Sequence, residues 1–150
     1  FWDSMEYCAK RMPRGAVSGE IIAGVEPIDA TLKAIDYITS IGAFPTVCLF
    51  RPTIGSDMEH WPPPRYEDML VVFRHLYEAC RRNNIPIDVT PNIEVSLIVQ
   101  PGDTRYLAPR NCATRWYSLK MSVARQFARP YFWWKRRPKK ISASEVLTPP

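Results

Sequence analysis

Val17-Ser18-Gly19-Glu20-Ile21-Ile22-Ala23-Gly24-Val25-Glu26-Pro27 decides how the rest of the chain is read. Its middle, Ile21-Ile22-Ala23, is apolar without a break, the pattern of a short strand buried on both faces. Gly24 breaks the strand. Pro27 then suits the first turn of a helix, where its missing amide hydrogen costs nothing. The stretch therefore predicts a strand over 17–23, a turn, and a helix. Ile28, Leu32, Ile35, Ile38 and Ile41 supply the helical stripe, and Gly42 closes it.

The same alternation extends in both directions. Upstream, Phe1, Trp2, Met5, Cys8, Ala9 and Met12 fall on one helical face, ended by Pro13 and Gly15. Downstream, Thr46-Val47-Cys48-Leu49-Phe50 reads as a second buried strand. A Pro- and Gly-rich loop over 51–65 follows, and loops beyond about 12 residues in compact domains are usually functional or disordered. Met69, Leu70, Phe73, Leu76, Tyr77 and Cys80 mark a strong helix over 66–84, with Arg81-Arg82 set against the negative end of its dipole. Residues 85–89 and 94–99 read as two more short strands, and 111–129 as a last helix ended by Pro130. Buried strands alternating with amphipathic helices imply an α/β chain with parallel βαβ units. A complete (β/α)₈ barrel takes about 250 residues, so the expected architecture is half of one, with a C-terminal helix and a basic tail. The rival is a doubly wound open sheet, but neither a Rossmann nor a P-loop glycine motif is present.

Bulk properties narrow the function classes. The net charge of +5 is unevenly placed, much of it in Trp133-Trp134-Lys135-Arg136-Arg137-Pro138-Lys139-Lys140. Such a local run reads first as a solvated tail, which argues against nucleic acid as the main partner. Cys8, Cys48, Cys80 and Cys112 lie far apart, with no CxxC or CxxxCxxC, so no metal site is expected from this chain. They are expected as small, mostly buried, reduced thiols. His60 and His75 lack a second ligand at metal spacing. No apolar stretch is long enough to span a membrane and no signal-peptide layout is seen, so the default expectation is a cytoplasmic location. Phe1 falls inside a helical pattern, which leads us to expect a fragment or a processed chain.

Glu20-Ile21-Ile22-Ala23-Gly24-Val25-Glu26-Pro27 resembles the strand and turn lining the adenine pocket of radical S-adenosylmethionine enzymes. Pro45-Thr46-Val47-Cys48-Leu49-Phe50-Arg51-Pro52-Thr53-Ile54-Gly55-Ser56 resembles the next strand of the biotin-synthase-like members, which runs into a Pro-x-x-Gly loop. Pro91-Asn92-Ile93-Glu94-Val95-Ser96-Leu97-Ile98 resembles a late barrel strand. The likeness covers most of 1–107. It departs from the family pattern GxIxGxxE at Glu20, where a Gly is usual, and at Pro27, on which the acidic position falls.

The resemblance implies a partial radical S-adenosylmethionine barrel over 1–107; beyond it, periodicity and composition give a helical segment over 108–130 and a basic, Pro-containing tail over 131–150. It implies S-adenosylmethionine as cofactor. It also implies a 4Fe–4S cluster whose CxxxCxxC belongs to a missing N-terminal half-barrel, and a small-molecule substrate. The full protein would then be an enzyme, in which the reduced cluster cleaves the sulfonium to a deoxyadenosyl radical. This portion alone would be inactive, and its own catalytic residues are unassigned. Ile22, Gly24, Glu26 and Arg51 become candidates for cofactor binding, and Asn92 and Glu94 for substrate. Each has a plainer reading: a buried strand and turn for Ile22 and Gly24, a helix N-terminal acid for Glu26, a surface arginine before a Pro turn for Arg51. The alternative function is a non-catalytic binding module whose Trp-bearing basic tail contacts nucleic acid or another polyanion.

Overall fold

A computed structural model describes residues 2–89 and 98–135. Four α-helices, three strands and a 3-10 turn alternate along them: α1 Trp2–Arg11, β1 Ser18–Ala23, α2 Ile28–Ser40, β2 Phe44–Leu49, α3 Tyr66–Arg82, β3 Ile98–Val99, the 3-10 turn Pro101–Leu107, and α4 Cys112–Lys135. The fold is mixed α/β around a small open sheet in the order β1-β2-β3.

β1 and β2 pair in parallel from Ser18 opposite Phe44 to Ala23 opposite Leu49. β3 departs from the expected parallel arrangement. Val99 and Ile98 pair antiparallel with Val47 and Cys48. An antiparallel partner needs no crossover helix, and no helix lies between α3 and β3 among the described residues. The strand expected over 85–89 is absent as well. Asp88 has φ +55°, a left-handed conformation that breaks regular strand geometry. Ile85 and Ile87 are buried instead in a cluster with Phe44, Tyr77, Cys80, Tyr117 and Met121. Of the strand expected over 94–99, only Ile98–Val99 falls within the described residues.

One side of the sheet carries the helices. Ala23 and Val47 pack with Ile35 of α2 and with Met69, Val72, Leu76 and Ala79 of α3. Gly19 faces the same way, against Ile38 of α2 and Met5 of α1. This common side for α1, α2 and α3 differs from a doubly wound sheet, whose helices cover both faces. Strand alternation sends Glu20, Ile22, Thr46, Cys48 and Ile98 to the opposite side. There Thr46 is buried, Cys48 and Ile98 are half-buried, and Glu20 and Ile22 are exposed. The expectation that Ile22 lies in a strand buried on both faces is therefore corrected.

Helix ends explain why the chain turns where it does. Gly42, at φ +87°, closes α2: Ala43 N–H donates to Ile38 O (3.0 Å) and Gly42 N–H to Thr39 O (3.1 Å). Asn84, at φ +52°, closes α3 in the same way, with Ile85 N–H on Cys80 O at 2.8 Å. Asn111 caps α4 by accepting from Thr114 N–H at 2.8 Å. α4 does not stop at Pro130, as expected, but runs through it to Lys135. Pro130 and Gln126, whose carbonyl the missing amide would have met, are both exposed, so water can serve that carbonyl.

Candidate functional site

The C-terminal ends of β1 and β2 stand side by side, tied by Phe50 N–H donating to Ala23 O at 2.9 Å. The loop over 51–65 folds back across this end. It is held by its own bonds: Ser56 Oγ donates to Thr53 O (2.7 Å) and Gly55 N–H to a Glu59 carboxylate oxygen (2.6 Å). Trp61 lies edge-on to Phe50, ring centroids 6.2 Å apart.

Between this loop and the helices is a cleft of about 240 Å³, lined by Gly24, Glu26, Pro27, Thr31, Pro62 to Arg65, Asp68 and Val72. The N-termini of α2 and α3 both reach it. Their partial positive charge would draw an anion, but Glu26 and Asp68 already supply negative charge. With Arg65 beside them the charged lining is mixed, and the cleft is smaller than the roughly 300–1,000 Å³ usual for ligand pockets.

Of the sequence candidates, Gly24 and Glu26 meet in this cleft. Gly24 has φ +101°, and a Cβ there would lie 2.7 Å from Pro64. The close approach that Gly24 permits is thus made by the loop. Ile22 lies outside the cleft, 55% exposed on the side of the sheet away from the helices. Arg51 follows β2 and is exposed; its carbonyl accepts from Thr53 Oγ1 at 3.5 Å, while its guanidinium has no hydrogen bond or ion pair among the described residues. Asn92 and Glu94 lie outside the described residues.

Sequence reading missed two features. Pro64 and Asp68 wall the cleft, and nothing in their spacing ties them to Gly24 across forty residues. Cys48 pairs in register with Ile22 on the exposed side of the sheet; strand alternation could have put them together.

The cysteines are free: Cys80 buried, Cys8 and Cys48 half-buried, Cys112 exposed. Burial pushes the Cys80 thiol far above its ordinary range, so it stays protonated. Among the described residues no group of three or more His, Cys, Asp or Glu is placed to hold a metal ion. The donor set here does not fit an iron–sulfur cluster. His75 Nε2 lies 2.9 Å from Asp36 Oδ1, and Arg82 donates to the same oxygen at 2.7 Å, so both serve to join α3 to α2. No helix among the described residues is long and apolar enough to cross a membrane. Compared with protein-family models, curated proteins and solved structures, the chain matches none.

Proposed function

We propose that this chain is the C-terminal part of a radical S-adenosylmethionine enzyme of the biotin-synthase-like kind, a half-barrel that binds cofactor and substrate but not the cluster. The observation that carries this reading is Ile22. A large apolar side chain stands exposed near the C-terminal end of a parallel strand, on the side of the sheet away from α1 and α2. In barrel enzymes that end of the strands holds the active site and that side faces the interior. The resemblance over 20–27 supplies the ligand: adenine lying flat on Ile22, with Arg51 at the next strand end toward a carboxylate of cofactor or substrate. Glu26, beyond the turn at Gly24, lines the cleft on the helix side of the strand end and would accept from a ribose hydroxyl or the amino group of a cofactor that reaches over that end.

The cluster would supply the electron for sulfonium cleavage, from ligands outside this chain. The residues here bind, orient and exclude water.

Calorimetric titration of S-adenosylmethionine into the protein, with Ile22→Asp as comparison, tests this reading. Ile22 is exposed, so Ile22→Asp should melt within a degree or so of wild type but bind at least about tenfold more weakly, because a desolvated carboxylate replaces the adenine platform. Equal binding by both forms, or none by wild type, would refute the assignment.

A further inference from the structure

Helix α4 has two apolar faces, and among the described residues only one packs against the rest of the fold. Tyr117 and Met121 are buried against Tyr77, Cys80 and Ile85, and the Tyr117 hydroxyl donates to Ile85 O. On the other side Trp116, Leu119, Val123 and Phe127 follow at steps of three, four and four residues, one continuous helical stripe. All four are exposed, Trp116 to 71%, Leu119 to 57% and Phe127 to 75%. Tyr131, one turn further, is exposed too. At the α-helical rise the stripe from 116 to 131 is about 22 Å long. Apolar surface laid out in this way marks a contact with something outside the fold.

Charge selects that partner. From Cys112 to Lys140 the sequence holds nine Lys or Arg and no Asp or Glu. Arg115 and Lys120 are exposed on α4, while Arg125 is drawn to Asp88 at 3.4 Å. A second copy of the chain docking α4 on α4 would set cation against cation with no acid to relieve them. Nucleic acid would use the cations and the rings but leave Leu119 and Val123 in water. An anionic lipid surface uses all of them. Acyl chains take the apolar stripe, and long basic side chains reach the headgroup phosphates while their stems stay in the apolar layer.

We propose that α4 is an interfacial helix that lies in the surface of an anionic membrane through Trp116, Leu119, Val123 and Phe127. Such a helix rests in the surface without spanning it. Its strong charge and broken apolar pattern distinguish it from a transmembrane segment. In sequence α4 ends on Trp133-Trp134-Lys135, and the basic run continues to Lys140, the composition of a headgroup-level anchor.

Co-sedimentation of the full chain with vesicles tests the proposal, using phosphatidylcholine alone and an equal mixture with phosphatidylglycerol. Binding to the mixed vesicles should be at least about tenfold tighter than to neutral ones and should weaken as salt rises. The double variant Leu119→Ser with Phe127→Ser changes only exposed positions, so far-UV circular dichroism should be unchanged, while vesicle binding falls about tenfold or more. Three results would overturn the proposal. One is equal or absent binding to both vesicle types. Another is binding that ignores the double variant. The third is a dimer, seen by sedimentation, that the double variant dissolves.

Discussion

Gly24 and Asp88 each hold a backbone conformation that constrains this chain. Gly24 combines a positive φ with contact against Pro64, whereas Gly55, at φ +82°, has nothing within 4 Å of where a Cβ would stand. Gly24→Ala should therefore destabilise by about 2–5 kcal/mol, the left-handed penalty plus the steric cost against Pro64. Gly55→Ala should cost only the left-handed penalty of about 1–2 kcal/mol. Urea unfolding of the two variants reads the difference, which isolates the Pro64 contact. Asp88 is held partly buried, and burial pushes its carboxyl above the ordinary range, against the pull of Arg125. The native state then binds this proton more tightly than the unfolded chain. Its contribution to stability is full below the unfolded carboxylate range and is lost as pH rises through the higher native value. Asp88→Asn tolerates the left-handed backbone and has no proton to lose. Its urea midpoint should decline less than wild type's as pH rises across the acid range. Parallel declines would show that Asp88 is not the source. Gly24 was legible in the sequence as a break, but Pro64 as its partner was not, because that contact is made by the return of a long loop.

The elements with strong periodicity were legible almost to the residue. α3 was expected over 66–84 and spans Tyr66–Arg82; of the expected face Met69, Leu76, Tyr77 and Cys80 are buried, and Leu70 and Phe73 half-buried. Leu76→Ala should cost about 2–5 kcal/mol in urea unfolding, while Val71→Ala, on the exposed side of the same helix, should cost less than about 0.5 kcal/mol. Comparable losses at both positions would mean that α3 does not pack as described. Short elements were less legible. Ile85-Pro86-Ile87 has the composition of a strand, yet its two Ile side chains close the end of α3 and meet α4, which spacing over so few residues cannot distinguish. Pro130 misled the reading of α4 because an exposed proline late in a helix leaves its orphaned carbonyl to water. The exposed stripe of α4 was present in the sequence as Trp116, Leu119, Val123 and Phe127. Only the structure shows that the opposite face is the one spent on the core.

At the scale of the molecule, alternation of helix and strand gave α/β character and the parallel β1–β2 pair, while the orientation of β3 was missed. What the structure adds is one-sidedness. α1, α2 and α3 share one side of the sheet, and Ile22 and Glu20 face water on the other. A side of this kind is completed in barrel proteins by further strands, and the proposed function assigns those strands, with the cluster ligands, to sequence upstream of Phe1. The most direct test is to read the coding sequence immediately upstream of Phe1. We expect an in-frame extension with a CxxxCxxC on an early strand-to-helix loop, which would make Ile22, Glu26 and Arg51 worth substituting in the complete enzyme. A stop codon or start site just before Phe1, or an extension without that motif, would contradict the half-barrel reading.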